Sequence, residues 1–424
     1  MTQRITFRNC GKGMRFLYPY FELLKIIGYL SMHKDTRCLL WNTAALLLSY
    51  MAVAMPLPVI SVFVTKSLGF SNGWGGFAVG ISFLTTILFR GFAGKFTDRK
   101  GGKACMTCGL LLYVLACIVC LMAALVSQPV IALSLLLTGR LILGVGESMT
   151  SVGMLSWNIA ILGPQRSGTV FALVGAALYG TFALSGPLSI LCINQIGFAG
   201  LMLLCSPLPL FGWLMISQVP SILPKTVNKP NISFLRILGT VWRQGTIVGL
   251  QGVGFAAIGA FISLYFTSND WPHAGLALTG FGIGFVLIRL FLGHLPDKFG
   301  GIPVTIVSLF IAACGQLLIW LAPVAEVALI GAFLTGCGCS LVYPSMGVEA
   351  IRKVPQELRG SAVGGFAIFQ DIAYGATAPI AGIFADHYGY SIVFMLGLIA
   401  ALLGLMIAVI TMIQKSTAPK TSVV

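Results

Sequence analysis

The stretch FRGFAGKFTDRKGGK, Phe89 to Lys103, places six charges in fifteen residues of a chain that is only 9% charged. A near copy, IRLFLGHLPDKFGG, runs from Ile288 to Gly301. Arg90 and Arg289, Gly94 and Gly293, Asp98 and Asp297, and Gly101 and Gly300 each stand 199 residues apart. Further along, Gly168 and Gly360, Pro187 and Pro379, and Gly197 and Gly389 each stand 192 apart. Two constant spacings, changing once between them, mark a duplicated unit.

Composition says what is duplicated. The chain has 424 residues, 57% of them hydrophobic, and a mean hydropathy of +0.96. A soluble domain carries about 25% charged residues. Apolar runs of about 20 residues recur from end to end, each long enough to cross a bilayer core of ~30 Å as a helix. Breaks between the runs give twelve spans, at about 38–64, 74–96, 104–126, 131–160, 167–192, 198–218, 243–267, 274–296, 302–321, 325–351, 361–385 and 390–413. The expected fold is therefore an all-α membrane protein of two six-helix bundles. Six crossings per unit leave both units with the same orientation.

Charge orients the chain. Arg90, Arg140 and Arg289 fall within spans; with a cytoplasmic N-terminus, 22 other Lys and Arg lie on the cytoplasmic side and only Lys66 lies opposite. That follows the positive-inside bias and puts both termini in the cytoplasm. The net charge of +15 thus reflects topology, and no basic face interleaved with aromatics points to nucleic acid. The expected organisation is a cytoplasmic extension 1–37, a bundle 38–218, a cytoplasmic linker 219–242, a second bundle 243–413 and a tail 414–424. Phe16 to Leu30 is too short to span and reads as an interfacial helix beside Arg4, Arg8, Lys12 and Arg15. A translation start at Met32 is the alternative.

Motifs add a resemblance. Gly94-Lys-Phe-Thr-Asp98-Arg99-Lys-Gly101-Gly-Lys103 is similar to the loop signature of the major facilitator superfamily, departing from it at Phe96, Thr97 and Gly102. GRLILGVG, with Arg140, Gly144 and Gly146, resembles a second motif of that superfamily. Gly186-Pro187 resembles its antiporter motif, with departures at Phe182, Ile190 and Leu191. RLILGVGES, SLVYPSMGVEA and FQDIAYGATAPIAG resemble most closely the YfcJ/YhhS-type group of bacterial inner-membrane carriers. The resemblance implies two parallel-repeat bundles related by a pseudo-two-fold along the membrane normal.

In that fold the charged stretch has a role. Asp98 is expected to dock on the N-terminus of span eleven near Gly360, where unpaired N–H groups carry partial positive charge. The contact would stabilise one conformational state by up to ~2 kcal/mol. Arg99, Gly101 and Lys103 belong to the same latch. The repeat extends it to Gly293, Asp297 and Gly300, with Asp297 near Gly168. The alternative is that these charges only anchor topology.

Two carboxylates, Glu147 and Asp371, sit at mid-span depth, where a charge costs on the order of 2.5–3.5 kcal/mol by insertion scales. Both are candidates for proton binding, Asp371 first, with Arg140 as a possible neutraliser of Glu147. Arg140 and Glu147 are seven residues apart on one face, a rise of ~10.5 Å, so a water or a third group is expected between them. Asn42, Tyr50, Tyr179, Gln251 and Gln370 are candidate cavity residues; Trp157 and Trp271 read as interfacial anchors. Glu349 reads as a surface partner of Arg352 and Lys353. Cys105/Cys108 and Cys117/Cys120 are C-x-x-C pairs within one apolar run, read as packing residues.

No Walker A loop and no H-E-x-x-H occur, and nothing calls for a cofactor. The expected function is a monomeric, proton-coupled antiporter of the inner membrane. It exports a small organic solute such as a sugar, drug or secreted metabolite, a class implied by the resemblance. An uptake symporter or facilitator is the alternative. A transport-dead membrane sensor or scaffold is the alternative from another class.

Overall fold

The computed structural model describes residues 34–163, 167–222, 234–354 and 359–417, and these form a helical protein with twelve passes. In the first half, α1 (Lys34–Ala54) bends at Pro56 and continues through Leu57–Val62 and the π-turn Phe63–Ser67. Then follow α2 (Asn72–Lys100), α3 (Gly102–Leu125) and α4 (Pro129–Leu162). The helix Ser167–Cys205 breaks at Gly197, where φ is 65°. It is thus α5 (167–196) followed by the start of α6, which ends as Leu208–Ser217.

The second half holds α7 (Phe234–Ser268), α8 (Ala274–Leu292), α9 (Gly301–Trp320), α10 (Ala325–Ile351), α11 (Arg359–Tyr388) and α12 (Ser391–Thr417). Among the described residues ten stretches are long and apolar enough to cross a membrane, one of which, Leu173–Ser217, takes in most of α5 together with α6. The helix not among them is α11, lowered in hydropathy by Gln370 and Asp371. Twelve passes bring Lys34 and Thr417 to one end of the bundle, called here the terminal end; the opposite is the far end.

The duplication is visible in the backbone. Gly101 turns α2 into α3 with φ 87° and ψ 157°, and Gly300 turns into α9 with φ 88° and ψ 154°. Both lie in a region that L side chains avoid. The copies differ between Arg and turn. The charged stretch expected as a loop is helical through Lys100 in α2, its cations favourably placed in the last turn. Its counterpart breaks after Leu292 and resumes as the short turn Leu295–Phe299, because Pro296 cannot continue a helix that needs its N–H.

Helix limits also move elsewhere. α7 begins at Phe234, within the expected linker, and α12 runs on to Thr417. Residues 1–33 of the extension, 223–233 of the linker and those after 417 lie outside the described residues.

The halves meet through α2 against α11, α5 against α8, and the outer part of α1 against α7. Helices in lipid associate by close packing, and small residues permit it. A Cβ on Gly76 would strike the carbonyl of Ala378, and one on Gly186 would strike the carbonyl of Gly275. These crossings are copies of one another, since 76 and 275 differ by 199 and 186 and 378 by 192. Gly186 of the Gly-Pro pair therefore serves inter-half packing near the far end.

Candidate functional site

From the far end inward, three layers join the halves. Asp386, at the far end of α11, accepts from the backbone N–H of Asn72 at 2.9 Å and of Gly73 at 3.1 Å. It also accepts from Asn72 Nδ2 at 2.8 Å, while the Tyr390 hydroxyl donates to Asn72 Oδ1 at 3.0 Å. A carboxylate of one half thus caps the N-terminus of α2 in the other, where orphan N–H groups and the helix dipole favour an anion.

The second layer is aromatic. Tyr179 of α5 stacks on Phe285 of α8 with ring centroids 3.9 Å apart, and its hydroxyl is hydrogen-bonded to that of Tyr374 in α11 at 2.8 Å. Phe182 meets Phe255 edge-on at 5.1 Å, and Phe83 meets Tyr374 at 5.2 Å. Each pair takes one ring from each half.

The third layer is polar and lies toward the terminal end. Arg90 is seven residues beyond Phe83 on α2, about 10.5 Å along the axis. Its Nε donates to Asp371 Oδ2 at 2.6 Å, an ion pair between the halves with side chains 22% and 9% exposed. Glu147 of α4 accepts from the Tyr113 hydroxyl at 2.7 Å. Tyr50, Arg90 and Asp371 lie close enough to Glu147 to interact with it electrostatically. Arg289 of α8 lies over the Phe285 ring at 5.2 Å, with Tyr179 and Tyr343 nearby. Its Nε is enclosed and makes no hydrogen bond among the described residues.

Several expected residues stand elsewhere. Arg140, read as a possible neutraliser of Glu147, makes its hydrogen bonds to other groups. It is held inside the first half, donating to Ala78 O at 3.1 Å, Val79 O at 2.9 Å and Ser82 Oγ at 3.1 Å. A guanidinium has more donors than one carboxylate can use, and the α2 backbone supplies acceptors. Asn42 is fully buried and donates to Asn158 at 3.1 Å within the first half. Gln251 and Gln370 are buried at 5% and 8% exposure.

Trp157 is not an interfacial anchor: it is fully buried, its indole N–H donating to Pro220 O at 3.1 Å. Trp271 packs against Tyr265 and Phe266 beside the α7–α8 turn. Glu349 is not at the surface; its side chain is 8% exposed and pairs with Arg352 at 3.4 Å and Lys415 at 3.3 Å. Lys353 instead approaches Gln244.

The motif residues divide as well. Lys103 donates to Ser217 O at 2.8 Å and Val219 O at 2.6 Å, closing the end of α6 as a cation at a helix C-terminus does. Asp98 and Arg99 are exposed in the last turn of α2. The expected docking of Asp98 near Gly360, and of Asp297 near Gly168, involves side-chain surroundings that lie outside those described. Tyr113, Tyr343, Tyr374 and Asp386 were not among the expected site residues. Tyr374 was within reach, since it stands 192 residues after Phe182 in the repeat.

With this geometry in hand, the chain can be set beside known proteins. The family model of the Major Facilitator Superfamily matches residues 43–371 and 247–423. The chain is 40% identical over 377 residues to the uncharacterized MFS-type transporter STM4428 of Salmonella typhimurium, covering 88% of this chain and 96% of that one. It is 34% identical over 365 residues to the uncharacterized MFS-type transporter BMASAVP1_A0869 of Burkholderia mallei, covering 85% and 88%. Among solved structures it is similar in fold to the nucleoside transporter NupG, with a TM-score of 0.70, 15% identity, and coverage of 88% of this chain and 99% of that one. It is likewise similar to the human organic anion transporter MFSD10, with a TM-score of 0.66, 16% identity, and coverage of 89% and 100%.

Proposed function

Because the chain belongs to the major facilitator superfamily, and is a multi-pass membrane transporter rather than an enzyme, we propose that it exports a small organic solute in exchange for protons. The two halves rock about the polar layer. The observation that carries this reading is the pairing of a closed far end with titratable groups just inside it. Asp386 seals α2 to α11, the aromatic layer lies beneath, and Arg90, Asp371, Glu147 and Arg289 follow.

A contact made between the halves in one state and lost in the other biases a two-state equilibrium. The Asp386 cap fits that role at the far end, and Asp98 at the start of α11 is its proposed counterpart at the terminal end. The biased distribution of Lys and Arg supports cytoplasmic termini in a bacterial inner membrane, with the far end outside. The protein works as a monomer of two bundles, divided between Ser217 and Phe234.

Between the two acids of the polar layer, the geometry favours Glu147 as the proton carrier. Protonating Asp371 would strand Arg90 as an unpaired cation in a low-dielectric site, a costly outcome. Protonating Glu147 breaks no ion pair: its hydrogen-bond partner is the Tyr113 hydroxyl, which can turn to accept instead of donate. Asp371 then serves as an ion-pair hinge between the halves. Gly186-Pro187 in α5 and the likeness to YfcJ/YhhS-type carriers support exchange and efflux.

The test is transport in proteoliposomes with an imposed pH gradient. An inside-acid or inside-alkaline gradient should drive the solute up its own gradient in one direction only, opposite to proton flow. Transport indifferent to the gradient removes proton coupling, and co-directional flow makes the protein a symporter.

A further inference from the structure

The pseudo-two-fold gives Arg90 and Arg289 equivalent places, 199 residues apart. Asp371, the partner of Arg90, has its own equivalent 192 residues earlier, and that residue is Tyr179. One half of the molecule therefore holds a closed ion pair at 2.6 Å. The other holds a cation facing a phenol where symmetry calls for a carboxylate. Arg289 Nε is enclosed and lacks a hydrogen-bond partner, and its guanidinium rests on the Phe285 ring. The other acid of the layer, Glu147, is engaged by Tyr113.

An enclosed guanidinium nitrogen without a hydrogen-bond partner is unfavourable, and a cation–π contact does not replace an anion beside it. We infer that Arg289 is the docking point for the negative group of the transported solute, which is a small organic anion bearing a carboxylate. The substrate's carboxylate completes at α8 and α5 the pair that Asp371 completes at α2 and α11. The planar fork of the guanidinium suits a carboxylate. The rings of Phe285 and Tyr179 offer an apolar wall for the rest of the solute. With Glu147 carrying a proton, exchange of proton for anion becomes possible across one polar layer.

The inference rests on the transport reading, and its test is a binding measurement kept separate from transport. Purified full-length protein is heated with benzoate or with its neutral isostere benzamide. Benzoate should raise the Tm and benzamide should not. Arg289→Gln should weaken the benzoate effect at least tenfold, and Arg289→Lys should recover part of it. No benzoate-specific stabilisation, or an equal one in Arg289→Gln, overturns the proposal.

A second comparison uses the chain's own symmetry. Tyr179→Asp should melt higher than Tyr179→Asn when Arg289 is present, and lose its benzoate response. In the Arg289→Gln background that difference should vanish; if it persists, Arg289 is not poised for an anion. Counterflow of a neutral solute that survives Arg289→Gln would leave the transporter reading standing and remove this inference alone. Benzoate binding without counterflow of any solute would do the reverse.

Discussion

Asp386 of the second half caps Asn72 of the first, with both carboxylate oxygens on backbone N–H groups at 2.9 and 3.1 Å. The donors belong to the first turn of α2 and the acceptor to the last turn of α11, 314 residues away in sequence. A helix cap is ordinarily local. Here it spans the interface between the halves, so opening them at this end would break it.

Asp386→Asn should therefore favour opening at the far end. Loss of a charged cap costs about 1–2 kcal/mol, an equilibrium shift of roughly five- to thirtyfold. Distances between spin labels at far-end positions on α2 and α11 would report it. An unchanged distance distribution would remove the cap from the conformational balance.

Gly76→Leu should prevent the far end from closing, because the carbonyl of Ala378 occupies the space a side chain needs. Gly186→Leu should act alike against Gly275. Both variants are expected to insert normally and to bind solute only from the far side. Solute protection assays on right-side-out and inside-out vesicles distinguish this from simple misfolding.

Arg90 and Asp371 form a buried pair, so removing one partner should cost more than removing both. Asp371→Asn alone is expected to destabilise by about 3–5 kcal/mol. Adding Arg90→Gln should return much of that, and thermal melting in a single detergent would show it. Equal Tm values for the single and double variants would mean that the pair is not coupled.

Glu147→Gln should separate exchange from its driving force. Counterflow of labelled against unlabelled solute needs no net proton movement and should continue. Uptake or release driven by a pH gradient should stop. If gradient-driven transport survives Glu147→Gln but not Asp371→Asn, the proton sits on Asp371 instead.

Much of the fold was legible because apolar length and repetition are properties of the chain itself. The spacing of 199 residues identifies the paired turns at Gly101 and Gly300, whose backbone angles agree within a few degrees. Glu147 and Asp371 stand out in the sequence too, since they interrupt apolar runs. Their partners do not. Arg90 meets Asp371 across 281 residues, a relation that no local pattern encodes.

Tyr113 resembles any half-polar ring in an apolar helix until Glu147 is placed beside it. Asp386 reads as a loop charge because its donors lie in the other half. Trp157 was misread for a similar reason: tryptophan near a span end suits an interface, but here it fills the gap between α4 and α3 and bonds to Pro220.

The central claim is that the two halves alternate, with the far end closed in the state described here. Cysteines introduced as Gly73→Cys and Asp386→Cys face one another across that closure, where a Cβ on Gly73 would lie 3.7 Å from Asp386 Oδ2. Cross-linking the pair in proteoliposomes, with each single variant as control, should abolish counterflow, and reductant should restore it. Counterflow at the uncrosslinked rate in fully cross-linked protein would contradict the account.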